Sequence, residues 1–376
     1  MKEYQIEELK PGMVTAEPVK TLSGQLIISS NVELTKTMIS RMNFYGIKSA
    51  QIVELVLGQT NPAVVGAPAA STETHSKPVA STNTRYSYSS KVKNSPEFKR
   101  FQVDFTLRTN DLKMCFDAFL NFGGSVNKEN LLRETASLIS FQQTTIEFFD
   151  MLHNMRHATD SIYAHSLNVG LISRMIGIWL GLPADDLDTL TLAGLLHDIG
   201  KTKVPEEVLN KQSRLSDEEF ALVRQHPQYG YDILKKQPLD SHIKKSALMH
   251  HERCDGSGYP LGLTYEEIDD YALIIAIADV YDAMTAARSY RDPLCPFQVI
   301  AEFEKDGLQK YKPKYILTFR ERIATTYQNN RVLLSNGQPA RIVLLNRNQL
   351  SRPLVELNDG SYLDLCKSQL YIKSLI

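Results

Sequence analysis

No two cysteines in this sequence are close enough to form a CxxC pair. The four, Cys115, Cys254, Cys295 and Cys366, are far apart, which argues against a zinc ribbon or a disulfide framework and reads as reduced packing thiols in a cytosolic protein. Charge of one sign is also lacking. Lys and Arg number 42 against 43 Asp and Glu, a net charge of −1, so the basic field needed for sequence-independent binding to duplex nucleic acid is absent. A small anionic ligand, met by local cations, fits better. Long apolar runs are missing as well. The start, MKEYQIEELK, is charged from its second residue, and the most apolar stretch, Leu273 to Met284, is broken by Asp279 and Asp282. Neither export nor membrane insertion is expected, and the location implied is the cytoplasm.

Composition changes twice along the chain. Residues 1–57 alternate short apolar runs with turn signals around a helical pattern near Lys36 to Met42, as expected of a small α+β module. Residues 58–97 are rich in Ala, Ser, Thr, Pro and Asn and hold too few large aliphatic residues to offset the entropy of ordering, which reads as a flexible linker. Helical periodicity then dominates, through a connector at 98–160 and a main helical domain at 161–314. The remainder, 315–376, carries apolar runs punctuated by Asn336-Gly337 and Asp359-Gly360, which are hairpin signals for a β-rich element. The expected class is therefore mainly α, with a small α+β module in front and a short β element behind.

Within the helical region, metal-capable side chains recur in order: His165, His197-Asp198, His226, His250-His251 and Asp279, with Lys201 three residues after Asp198. Scattered His and Asp at long separations suit an open site for iron or manganese rather than a closed structural zinc site. Periodicity places these residues at helix ends. One helix is expected from about Asp186 to His197, a second from the capping pair Ser216 and Glu219 to His226-Pro227, a third from about Ile243 to His251, and a fourth opening with Thr264 and Glu267. Helix carboxy termini at His197, His226 and His250-His251 would favour a cation. Asp279 falls among core residues, where an unpaired carboxylate costs several kcal/mol, so ligation is the more economical role for it. His75, His153, His157 and His242 have no expected part, although His153 and His157 share a helix face.

The segments HDIGK (197–201), HHERCDGSGYP (250–260) and ADVYDAMTAARSYR (278–291) resemble the HD-GYP subgroup of the HD metal-dependent phosphohydrolases, over about Ser161 to Lys314. The resemblance implies hydrolysis of cyclic dinucleotides, chiefly the bacterial second messenger cyclic di-GMP, to linear pGpG, GMP or both. It implies metal ligands at His165, His197, Asp198, His226, His250, His251 and Asp279, with Asp198 bridging two Fe or Mn ions that share the attacking hydroxide. Lys201 would contact the scissile phosphate, and Arg288 and Arg291 would reach the other one. Gly258, Tyr259 and Pro260 would shape the substrate site, and Asp282 would orient a ligand or Lys201.

One departure stands out. Members with three metals carry Glu four residues before the first His, where this chain has Ser161, with Asp160 about 100° away around a helix. Two metals are expected, although Asp160 could reach a third if the helix begins only after it. Alternative readings are a cyclic-dinucleotide sensor or scaffold, or a hydrolase of mixed cyclic GMP-AMP. A homodimer or a signalling-protein partner is left open.

Overall fold

A computed structural model describes residues 2–20, 26–28, 30, 32–34, 38–39, 42, 47–53, 92–121, 128–140, 144–155, 161–209, 211, 213–286 and 293–376. The chain divides into two compact units, Met1–Val103 and Asp104–Ile376. In the first, β1 (Lys2–Gln5), β2 (Val19–Lys20), β3 (Leu26–Ile28) and β4 (Ser49–Ile52) form two antiparallel pairs, β1 with β4 and β2 with β3. Tyr4 faces Ala50 across the first pair. The buried hydroxyl of Thr15 stitches the unit internally, since it accepts from Val32 N and donates to Val32 O. Of the expected helical pattern at Lys36 to Met42, only Met38, Ile39 and Met42 are described, and they are helical; almost all of the expected linker lies outside the described residues.

The helical part runs through α1 (Pro96–Asn121), which starts in the first unit and continues into the second, α2 (Lys128–Ser140), α3 (Thr145–Met155), α4 (Ile162–Leu180) and α5 (Ala184–Leu196). It continues through α6 (Glu206–Leu209), α7 (Asp217–Val223), α8 (His226–Leu234), α9 (Ser241–Met249), α10 (Asp270–Thr285), α11 (Pro296–Lys310) and α12 (Pro313–Thr326). Among the described residues, no helix is long and apolar enough to cross a membrane.

α4 and α5 are the centre of the second unit, and their ends follow from local chemistry. Ser161 caps α4 by accepting from Ala164 N at 3.1 Å, and Gly181 ends it in the left-handed region at φ 74°, a conformation that carries no Cβ penalty in glycine. The two helices touch at backbone level, because a Cβ on Gly194 would lie 2.7 Å from Gly170 Cα. α10 packs its run Leu273–Ala278 into the core. The aromatic rings of Phe149, Trp179, Tyr281, Phe303 and Phe319 interlock beside it in stacked, tilted and edge-on contacts.

The capping box at Ser216 and Glu219 is present as expected. Thr264 and Glu267, by contrast, do not open a helix. They close a turn in which the Glu267 carboxylate accepts from both Thr264 N and its hydroxyl, and α10 begins at Asp270 with Asp269 as its cap. Asp269 supplies the same capping chemistry, an acceptor for Tyr271 N, closer to the apolar run.

The chain ends in a five-stranded antiparallel sheet of β5 (Arg331–Leu334), β6 (Pro339–Leu344), β7 (Leu354–Leu357), β8 (Tyr362–Asp364) and β9 (Ile372–Leu375), in the order β8-β7-β6-β5-β9. Gly337 and Gly360, at φ 84° and 81°, make the two turns that their dipeptides announce. Residues 315–326, grouped with this element by composition, are helical as most of α12. A three-way contact joins helices to sheet. Arg320 on α12 donates to Glu304 on α11 at 2.9 Å, and the Glu304 carboxylate also accepts from Ser351 N and Ser351 Oγ. Replacing Glu304 with Ala leaves the largely buried guanidinium of Arg320 uncompensated. Denaturant unfolding should show a loss of about 3 kcal/mol, whereas a change within ±0.5 kcal/mol would mean that the network is only decorative.

Candidate metal centre

Helix boundaries bring the metal-capable side chains to one place. His197 and Asp198 follow α5, with Asp198 opening a 3₁₀ turn over Ile199–Lys203, and His250 caps α9. His165 lies in the first turn of α4, and Asp279 lies inside α10. His226 departs from expectation: it is the first residue of α8, not the end of the preceding helix. α7 stops at Val223, the chain turns through Arg224 and Gln225, and Pro227 suits the start of a helix, where no amide donor is required. The favourable carboxy-terminal dipole therefore does not apply at His226.

Most of these imidazoles are gripped by the nitrogen that faces away from the centre. Nδ1 of His197 donates to Gly194 O at 2.7 Å, Nδ1 of His226 to Val223 O at 2.7 Å, and Nδ1 of His250 to Ser246 O and Ala247 O, both at 3.1 Å. A carbonyl oxygen can only accept, so Nδ1 carries the proton and Nε2 presents a lone pair inward. His165 is held through Nδ1 by the Asp282 carboxylate at 2.7 Å. Asp282 thus orients His165, and Lys201 is held elsewhere.

Asp198 is buried between two sets of these lone pairs. Its Oδ2 lies 3.4 Å from both His165 Nε2 and His197 Nε2, while its Oδ1 lies 3.2 Å from His226 Nε2 and 3.7 Å from His250 Nε2. Asp279 spans the same divide, with Oδ1 3.1 Å from His165 Nε2 and Oδ2 3.8 Å from His251 Nδ1. Three clusters have ligand-capable atoms within 4.8 Å of one another: His165, His197 and Asp279; His226, His250 and His251; and His197, Asp198 and His250. Lys201 Nζ reaches Asp198 Oδ2 at 2.6 Å.

This donor set fits metal ions. His226 Nε2 and His250 Nε2 face each other at 3.2 Å, although both have their proton on the opposite nitrogen. Asp198 Oδ1 and His197 Nε2 are buried without a hydrogen-bond partner. Facing lone pairs and unsatisfied buried acceptors are unfavourable unless a cation is shared among them. The protonation states agree at Asp198, His250 and His251 but not at His165, where burial lowers the pKa but the Asp279 and Asp282 carboxylates outweigh it and raise it to about 9, so this imidazole gives up a proton on binding metal. Burial pushes the Asp198 acid up, but the Lys201 ammonium and the neighbouring imidazoles outweigh it and hold the carboxyl well below the usual range. Burial pushes His250 down to about 4 and, with His250 beside it, His251 well below its ordinary value. Deprotonated carboxylates and neutral imidazoles are the forms that bind metal.

Because Asp282 holds His165 from behind, Asp282→Ala should weaken metal binding roughly 10–100-fold while the protein stays folded. Metal titration followed by calorimetry would check this, and unchanged affinity would remove Asp282 from the site.

Around the centre, the segment after His251 folds into a tight loop. Glu252, buried, accepts from Leu261 N at 2.7 Å and Leu263 N at 3.0 Å. Gly258 has no room for a side chain, since a Cβ would lie 2.4 Å from Glu252 Cα. The Tyr259 ring stacks on His251 with centroids 4.6 Å apart, and Pro260 is exposed. Gly258, Tyr259 and Pro260 are expected here from their motif and Glu252 is not, although an acid directly after two candidate ligand histidines is a usable signal. Gly200 is a second point of close approach. A Cβ there would lie 1.9 Å from His226 O, so Gly200 lets the backbones that carry His197, Asp198 and His226 meet. Ser161, at the position of the usual third-metal Glu, has its hydroxyl engaged in capping α4. α4 begins at Ile162, so the angular argument that set Asp160 apart from Ser161 on one helix does not apply. Asp160, Arg288, Arg291, His75 and His157 lie outside the described residues. His153 meets Tyr281 and His242 pairs with Asp269, both outside the three clusters.

Residues 142–315 match the HD domain family. Together with the His197-Asp198 and Gly258-Tyr259-Pro260 segments, this places them among HD domains of the HD-GYP type, a class of metal-dependent phosphohydrolase domain. A cyclic di-GMP phosphodiesterase of Thermotoga maritima is 32% identical over 229 residues, 59% of this chain and 61% of that protein. A cyclic di-GMP phosphodiesterase of Pseudomonas aeruginosa is 42% identical over 141 residues, 37% of this chain and 34% of that protein. A 3'3'-cGAMP-specific phosphodiesterase of Vibrio cholerae is 33% identical over 212 residues, 55% of this chain and 39% of that protein. The chain therefore spans less than two thirds of the length of each of these relatives. Among solved structures, an HDGYP protein from Bdellovibrio bacteriovorus shares the fold, with a TM-score of 0.52 over 86% of this chain and 99% of that one, at 16% identity.

Proposed function

We propose that this chain is a metal-dependent phosphodiesterase that hydrolyses cyclic di-GMP to linear pGpG, GMP or both. The observation that carries the reading is the position of Asp198, whose two oxygens face two separate sets of imidazoles. His165, His197 and Asp279 would hold one iron or manganese ion, His226, His250 and His251 a second, and Asp198 would serve both. Bound, such ions polarise a phosphoryl oxygen and lower the pKa of water enough for attack near neutral pH.

The protein's own groups do the rest. Lys201, anchored on Asp198 and partly exposed, offers an ammonium to the charge that builds on the phosphate during in-line displacement. Glu252 fixes the loop that carries Tyr259 beside His251, which gives the mouth of the site a rigid aromatic wall. Arg288 and Arg291 are proposed to hold the second phosphate. Ser161, engaged as a helix cap, favours two ions over three.

Turnover of cyclic di-GMP by anaerobically prepared protein loaded with iron or manganese, with products separated by chromatography, tests the reading. Linear products formed over many turnovers are expected. Stoichiometric binding without cleavage would make the chain a sensor instead. Mixed cyclic GMP-AMP belongs in the same assay, because a relative specific for 3'3'-cGAMP matches over 55% of this chain.

A further inference from the structure

We infer that Arg224 is a specificity residue at the mouth of the metal centre, which reads the edge of a substrate purine and favours guanine over adenine. The inference rests on the cyclic-dinucleotide reading above and concerns a residue to which that reading gives no part. Arg224 caps the end of α7, two residues before His226, and the carbonyl of its neighbour Val223 holds His226 Nδ1. Its backbone is therefore tied to the centre. Its guanidinium carbon lies 4.5 Å from the centroid of the Tyr259 ring, whose stacking partner is His251 at 4.6 Å. The His251 imidazole lies nearly parallel to the ring, at 23°, so Tyr259 links the guanidinium to a candidate ligand.

Arg224 is exposed and has no carboxylate partner among the described residues. A cation–π contact fixes the guanidinium without consuming its N–H donors, so the donor edge stays available to a ligand. Phe220, 51% exposed, stands one helical turn earlier, and residues four apart on a helix are neighbours. A flat apolar ring beside a fork of paired donors is the pairing that a nucleobase requires, through stacking and edge recognition. A phosphate would need the cations alone. Lys201, bonded to Asp198, already provides one for the phosphate at the ligands.

The choice of base follows from the donors. Guanine shows two acceptors, O6 and N7, to a guanidinium fork, whereas adenine puts an amino donor at N6, which repels one arm. Arg224 should therefore discriminate by about tenfold or more, the ordinary size of one forked contact.

The test compares wild type, Arg224→Lys and Arg224→Ala, all manganese-loaded. It measures kcat and KM with cyclic di-GMP and cyclic di-AMP, or Ki for a ligand that is bound but not cleaved. In Arg224→Ala the KM for cyclic di-GMP should rise roughly tenfold with kcat little changed, while the constant for cyclic di-AMP stays within about twofold. Arg224→Lys keeps the charge but lacks the planar fork, so it should lose the same discrimination. Equal losses on both ligands in Arg224→Ala, reversed by lysine, would show a phosphate contact and overturn the inference, as would an unchanged ratio. A wild-type protein that neither binds nor cleaves either ligand would overturn the phosphodiesterase reading and this inference with it. Turnover of cyclic di-GMP with an unchanged ratio would sink the inference alone.

Discussion

Replacing Asp198 with alanine should abolish both metal loading and turnover, with activity down by at least about a thousandfold. The reason is its double duty. The two oxygens of this one carboxylate face His165 and His197 on one side and His226 and His250 on the other, so its removal takes a donor from both clusters at once. It also frees the Lys201 ammonium from its 2.6 Å contact and leaves a cation where two more cations should sit. Asp198→Asn would keep the shape but lose the charge, and should bind no more than one metal per chain. Metal analysis and turnover on the same samples would check both variants. An alanine variant with full metal content would show that Asp198 does not join the clusters.

Gly200→Ala should be the most damaging change outside the ligands. Its Cβ would meet His226 O at 1.9 Å and Gly230 N at 2.5 Å. Both are backbone atoms, so neither can rotate away. The 3₁₀ turn that carries Asp198 and Lys201 would have to separate from α8. A stability loss of about 2–3 kcal/mol is expected, with turnover reduced roughly a hundredfold because the centre tolerates little displacement. Gly307→Ala is the control: its Cβ would meet Ile316 and Phe303 at ordinary contact distances of 3.5 and 3.7 Å. In the last turn of α11 that change should be neutral or stabilising by up to about 1 kcal/mol. If thermal unfolding and kinetics leave the two alanine variants indistinguishable, close approach at Gly200 is not what the centre depends on.

How much of this was legible in the sequence depends on what each feature requires. The meeting of the candidate donors was, because a metal site calls for particular side chains, and all seven positions converge. The mainly helical class and the two hairpin turns of the terminal sheet were legible for similar reasons, through periodicity and through Gly337 and Gly360. Helix boundaries were less so. His226-Pro227 reads equally well as a stop or as a start, and only the turn at Arg224 and Gln225 decides it. Thr264 and Glu267 have the chemistry of a cap but sit in a turn, because Asp269 caps α10 nearer to its apolar run. The carbonyls that fix the imidazole protons were invisible, since they belong to Gly194, Val223, Ser246 and Ala247 through their backbone alone. Close approach at Gly200, Gly258 and Gly194 depends on the partner backbone, which no local pattern reveals.

The most direct test of the central claim is a crystal structure of metal-loaded protein with anomalous diffraction measured at the metal edge. Two peaks flanking Asp198 are predicted, one among His165, His197 and Asp279 and the other among His226, His250 and His251. A single peak, with the second set of imidazoles hydrogen-bonded to water or to one another, would contradict the two-ion account.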